Sequence, residues 1–114
     1  MKNLLVQVFS LTLLLVIIIS CSEDADPQFR IHNELSSKAN VQIQTSGGNT
    51  ININDVQSGN VTSYQTASEG NIIATVVIQN ESASPTKTFF ASKGNRYTIV
   101  ILNGITPELR VDRE

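Results

Sequence analysis

From residue 29 onward, apolar residues recur at every second position, a period that admits strands with one buried face and little else. Phe29 and Ile31 alternate with Arg30 and His32, Val41 and Ile43 with Gln42 and Gln44, and Ile51 and Ile53 with Asn52 and Asn54. No segment beyond the first twenty residues carries a helical period. Turn chemistry cuts the chain between the alternating runs. Gly47-Gly48 reads as a two-residue hairpin between strands over 41–46 and 49–54. Ser58-Gly59-Asn60 precedes a strand over 61–67, Glu69-Gly70 one over 71–79, and Lys93-Gly94-Asn95 one over 96–102. Residues 80–85 form a polar loop, and Asn103-Gly104 reads as a type I′ turn. Pro107 puts the last strand, over 108–112, at a sheet edge or delays its start. About seven or eight short strands at such spacing predict an all-β fold, a small antiparallel β-sandwich of immunoglobulin-like or transthyretin-like type. One sheet cannot hide these side chains, so a second layer is required.

Two strands break the alternation. Residues 72–78 read Ile-Ile-Ala-Thr-Val-Val-Ile and 99–102 read Ile-Val-Ile-Leu. Two readings remain open. Either these are central strands whose outer faces are partly covered, or Ile73, Val77, Val100 and Leu102 make an exposed apolar stripe used for docking.

The first twenty residues differ from everything after them. Lys2 is a positive start, 4–19 is an apolar run diluted by Gln7, Ser10 and Thr12, and Ser20 is a small residue at a cleavage point. The run is short for a permanent span, which needs about 20 apolar residues. Ile18-Ile19-Ser20-Cys21 resembles the bacterial lipobox: aliphatic, variable, small, cysteine. The resemblance implies that residues 1–20 are a signal peptide removed before Cys21. It also implies that the Cys21 sulfur receives a diacylglycerol and its new amino group a further acyl chain such as palmitate. Each buried methylene contributes about 0.8 kcal/mol, and two chains give stable anchoring. The expected partner of this cysteine is therefore membrane lipid, and the expected location is the cell envelope, at the outer membrane. Ser22-Glu23-Asp24-Ala25-Asp26 resembles the acidic export signal of Bacteroidetes-type surface lipoproteins, which implies display at the cell exterior. A solvated tether is the other reading of the same run. Residues 21–28 thus join the lipid to a domain over 29–114. The seven residues 22–28 span at most about 25 Å, so the domain rides close to the membrane.

A second resemblance covers the domain. Val61 to Ala67 followed by Glu69-Gly70, and Phe90 to Val100 with Gly94 before Tyr97-Thr98-Ile99, are similar to the strand and turn pattern of a domain-of-unknown-function family in exported bacterial β-sandwich lipoproteins. Asn103-Gly104 and the opening Arg30-Ile31-His32-Asn33 fit the same pattern. The resemblance implies the fold and the envelope address and brings no enzymatic activity with it.

Composition narrows the chemistry. The chain holds 8 Lys and Arg against 10 Asp and Glu, with Lys2 the only charge before residue 21, so it offers no basic patch for nucleic acid. One cysteine precludes an internal disulfide. The single histidine, His32, could pair with Glu34 to orient a base, but it reads better as a solvent-facing strand residue, and no Gly-x-Ser-x-Gly elbow is present. One His without a free Cys makes no ordinary zinc set, and Asn52, Asn54 and Asp55 lack the spacing of a calcium loop. No cofactor, no metal and no catalysis are expected. Tyr64 and Tyr97, the only tyrosines, are the candidate ligand contacts if the domain binds a small molecule or glycan. The expected role is a non-catalytic binding, adhesion or assembly module acting on an envelope or extracellular protein or a glycan. The alternative is a small-ligand or glycan-binding envelope domain.

Overall fold

A computed structural model describes residues 24–114. The expected signal peptide, the lipobox-like motif and Cys21 lie outside the described residues. The eight strands are β1 (Gln28–Asn33), β2 (Ala39–Gln44), β3 (Thr50–Val56), β4 (Gln65–Thr66), β5 (Gly70–Ile78), β6 (Thr86–Ala91), β7 (Arg96–Leu102) and β8 (Glu108–Arg113). They form two four-stranded sheets, which we term sheet A, in the order β4-β1-β7-β8, and sheet B, in the order β3-β2-β5-β6. All neighbours are antiparallel except β1 and β7, which run parallel in unbroken register from Gln28↔Arg96 to Asn33↔Ile101. The expected β-sandwich is the fold.

The period-two residues fill the space between the sheets. Phe29, Ile31, Tyr97, Ile99, Ile101 and Leu109 come from sheet A, and Val41, Ile43, Ile72, Ala74, Val76 and Ile78 from sheet B. Fully burying an aliphatic side chain of this size contributes roughly 1.5–3 kcal/mol, and with no disulfide such burial is the main source of stability. Ile51, Ile53, Phe89 and Val111 pack against this core from the outer strands. The two apolar runs are the interior strands β5 and β7.

Several local expectations change. The β2–β3 hairpin is wider than Gly47-Gly48 alone. The Gly48 amide donates to the Thr45 carbonyl at 3.1 Å, the Thr45 amide to Asn49 at 2.9 Å, and Gly48 has φ 86°. This is the three-residue loop that ends in a left-handed glycine. Residues 61–67 do not form a continuous strand. Only Gln65 and Thr66 pair with β1, and Val61 makes a single bridge to His32. The Thr62 hydroxyl takes over, accepting the Ile31 amide at 2.9 Å. Neither Asn103 nor Gly104 has positive φ, so the type I′ turn is absent and a longer connection joins β7 to β8. The last strand does lie on an edge.

The described residues that lead into β1 are bound to the body at two points. The Ala25 carbonyl accepts the Gly94 amide at 2.7 Å, the Pro27 carbonyl accepts the Ala67 amide at 3.0 Å, and Pro27 is fully buried. The chain therefore enters the sandwich at one end, beside the β2–β3, β4–β5 and β6–β7 turns. The other four connections lie at the opposite end.

Candidate functional site

The two outer faces of the sandwich differ in chemistry. On sheet A, charged side chains cover the face. Arg30 of β1 donates from Nε to the Thr98 hydroxyl at 3.0 Å and from Nη2 to Glu114 Oε1 at 3.0 Å. The Thr98 hydroxyl donates to the same Glu114 oxygen at 3.1 Å, and the Tyr64 hydroxyl donates to the other. Both the Arg30 and the Arg96 guanidinium carbons sit 4.8 Å from the Tyr64 ring centroid, within cation–π range. Arg96 Nε also donates to Gln28 at 3.1 Å. The bonds from Tyr64 and Thr98, with Arg30 beside them, hold the Glu114 carboxyl below its ordinary pKa. The same Glu114 bond pushes the Tyr64 phenol up. Arg110 chelates Asp112 through Nε and Nη2 at 2.9 and 3.1 Å, which raises the guanidinium further.

Each candidate residue now has a place. Tyr97 is 5% exposed; its ring meets Phe89 at 5.3 Å and its hydroxyl accepts the Ser92 amide, so it belongs to the core and offers no platform. Tyr64 is half-buried, and its hydroxyl and ring are engaged by Glu114, Arg30 and Arg96. The proposed apolar stripe is not one surface. Ile73 and Val77 are exposed on the outer face of β5 in sheet B, whereas Val100 and Leu102 lie on the outer face of β7 in sheet A. Val100 is 1% exposed although it stands outside the core cluster. Its cross-strand neighbours there are His32 and Arg110, whose long side chains take the place of a covering layer. Leu102 is half-buried beside Glu108. His32 and Glu34 do share a face, with Nδ1 to Oε1 at 3.9 Å. Asn52 and Asn54 stand on the edge strand β3, and Asp55 pairs with Lys38 at 3.5 Å. Among the described residues no group of three or more His, Cys, Asp or Glu side chains is placed to hold a metal ion, and no helix is long and apolar enough to cross a membrane.

Sheet B presents the opposite surface. Asn40, Gln42 and Gln44 of β2 point outward, between Asn52 and Asn54 of β3 and the Ile73-x-Thr75-x-Val77 row of β5. Thr86, Thr88 and Phe90 of β6 complete the face. Shallow depressions open on it. One, of about 490 Å³, lies among Gln44, Thr50, Asn71, Ile73 and Thr88. Another, of about 250 Å³, lies among Gln42, Asn52, Thr75 and Val77, and a third, of about 180 Å³, among Lys38, Asn40, Val77 and Gln79. Sequence reading found Ile73 and Val77 and weighed Asn52 and Asn54 only as calcium ligands, while Gln42 and Gln44 register there only as the polar half of an alternation. It also passed over Asn33, which is fully buried and ties the β1–β2 loop to the end of β3. A lone Asn at the end of an alternating strand carries no mark of burial. Compared with known protein families and with curated proteins, the chain matches none.

Proposed function

We propose that the protein is a bacterial envelope lipoprotein, anchored to the outer membrane by an acylated Cys21, whose sandwich is a non-catalytic binding module. The observation that carries this reading is the lipobox-like Ile18-Ile19-Ser20-Cys21 at the end of an apolar run. The entry geometry agrees with it. The Ala25 carbonyl is fixed to the Gly94 amide, so the four steps from Cys21 to Ala25 reach at most about 14 Å. A lipid at Cys21 then holds the Gly94 end of the sandwich toward the bilayer and turns the opposite loops away from it. Both outer sheet faces stand roughly upright and open to partners from the side. The acidic run over 22–26 supports display at the cell exterior. The reading as a binding module rests on the two exposed faces, whose polar groups are engaged in surface networks or spread over a flat sheet.

The test is mass spectrometry of the N-terminal peptide together with fractionation of cells carrying Cys21→Ser. The expected result is a diacylglyceryl and acyl mass on Cys21, with loss of the protein from the membrane fraction in the variant. An unmodified thiol, or an intact leader still attached, overturns the anchor. Protease treatment of intact cells then reads the side: cleavage without lysis supports exterior display, and protection until lysis refutes it.

A further inference from the structure

The solvent face of a sheet ordinarily keeps charges, which hold water and discourage association. Sheet A follows that rule with Arg30, His32, Arg96, Arg110, Asp112 and Glu114. The outward positions of sheet B carry none between Asn40 and Gln44, between Thr50 and Asn54, along β5 or along β6. The charges that border this face are Asp55 at the bulged corner of β3 and Lys38 beside Asn40 and Val77, paired with each other at 3.5 Å, and Lys87 of β6, which stands in register with buried Ala74 and so on the other face of its strand. Register builds two rows across the sheet: Asn52, Gln42, Thr75 and Thr86, then Thr50, Gln44, Ile73 and Thr88. Successive rows lie roughly 7 Å apart, and each crosses about 14 Å of sheet. Carboxamides and hydroxyls both donate and accept. Exposed beside them are Ile73, Val77 and Phe90 at 37%, 54% and 59%.

This chemistry selects its ligand. An ionic polymer would find no counter-charge here. The charged rim of a protein partner would lose hydration against these rows without gaining a pair. An uncharged sugar chain has the matching features, hydroxyls that donate and accept and C–H faces that pack on aliphatic and aromatic side chains. We propose that the outer face of sheet B is a binding platform for an uncharged polysaccharide. The proposal deepens the reading of the domain as a binding module and names its ligand class. It moves the glycan contact away from Tyr64 and Tyr97.

The test uses the full chain purified in detergent, titrated calorimetrically with uncharged gluco-, manno- and xylo-oligosaccharides of about six sugars, a length that spans more than one row. Polygalacturonate serves as the anionic comparator. Saturable binding of at least one uncharged oligosaccharide is expected. It should weaken at least tenfold in the double variant Gln42→Glu/Gln44→Glu, whose shape is kept and whose charge is new, and remain unchanged in Tyr64→Phe on the other sheet. Should the double variant shift the thermal midpoint, Gln42→Ala/Gln44→Ala replaces it with the same expectation. Lack of binding to every uncharged oligosaccharide at about 10 mM, where even a very weak site fills, overturns the proposal. So does preference for polygalacturonate, or equal affinity in the variants. A dimer in sedimentation that Val77→Lys dissociates also overturns it, by showing that a second copy covers the face. These outcomes are separate from the anchor: a chain acylated at Cys21 that binds no sugar leaves the lipoprotein reading standing, and a non-acylated chain that binds sugar leaves the platform standing.

Discussion

Replacing Asn33 with Ala should cost more than removing any single exposed polar contact in the protein. Asn33 closes β1 and is fully buried. Its Nδ2 donates to the carbonyls of Ser37 and Val56, both at 2.9 Å, and its Oδ1 accepts the Leu35 amide at 2.9 Å. One side chain thereby ties the end of β1 to the start of β2 and to the end of β3 across the gap between the sheets. Alanine leaves the buried Val56 carbonyl and Leu35 amide without these partners, at about 1–2 kcal/mol each, and removes a partly buried bond to Ser37 worth about 0.5–1 kcal/mol. The expected loss is about 3–4 kcal/mol, a large part of the 5–10 kcal/mol typical of a domain this size. With a urea m-value of about 1 kcal/mol/M, the midpoint should fall by about 3 M. The chain has no Trp, so far-UV circular dichroism is the readout. Asn33→Asp separates hydrogen bonding from volume. It keeps the acceptor for Leu35 and turns the donor into an oxygen facing two carbonyls. Burial there raises the folded carboxyl above its unfolded value. Stability is therefore lost as pH rises through the range between the two values and regained as the group protonates on acidification. A midpoint for Asn33→Ala within about 1 kcal/mol of the parent, or an Asn33→Asp chain as stable as the parent at neutral pH, would refute this account.

Four further outcomes follow from the same geometry. Gly70 has φ 137°, and a Cβ there would stand 2.6 Å from the Ser46 side chain, so Gly70→Ala should lower stability by about 2–4 kcal/mol in the same urea assay. At Gly94 the added Cβ meets Asp24 at 3.3 Å, and Gly94→Ala should cost less, its strain coming chiefly from φ 79°. The Glu114 carboxyl should titrate below ordinary glutamates by NMR and move up in Tyr64→Phe. Because its folded pKa is depressed, its contribution is present above the unfolded value and lost as pH falls through the folded one; an unchanged titration in the variant would break the link. Val100→Asp should unfold the domain, since Val100 is 1% exposed, while Val77→Asp at a 54% exposed site should leave a cooperative melt. Equal tolerance at both positions would show that His32 and Arg110 do not seal Val100.

The sandwich was legible because its inner faces obey a strict period. Phe29, Ile31, Val41 and Ile43 are buried where the alternation placed them, and Ile51 and Ile53 pack partly buried against the same core. Less legible was the point at which a stretch between turn signals stops pairing. Residues 61–67 are bounded by Ser58-Gly59-Asn60 and Glu69-Gly70, yet 61–64 meets β1 through the Thr62 hydroxyl and one bridge rather than a full ladder. Side-chain bonds of that kind leave no period behind. The stripe of Ile73, Val77, Val100 and Leu102 separated because apolar residues on both faces of a strand do not reveal which sheet holds the strand. β5 and β7 proved to be the interior strands of different sheets. The Asn33 bond to Val56 and the Tyr64–Glu114 cluster depend on contacts between residues 16 to 84 positions apart, and local spacing cannot encode these.

The segregation of charge has a structural reason. Sheet A holds the parallel β1–β7 pair and a β4 of two residues, so its outer face gains cohesion from side chains that cross between strands. Arg30 spans β1 to β7, and Glu114, whose amide donates to the Arg96 carbonyl, extends the tie beyond β8. Tyr64, just before β4, joins the same network. Sheet B is antiparallel throughout, with long pairings on both sides of β2 and β5, and its outer face is free of that duty. A face that need not stabilise its own sheet can be given to a ligand. With the entry segment pinned at Gly94, a lipid at Cys21 would present that face laterally along the membrane surface. If the ties on sheet A are as structural as this division implies, Arg30→Ala should lower the melting temperature while leaving sugar binding on sheet B unchanged. A variant that melts normally and loses ligand would reverse the assignment of the two faces.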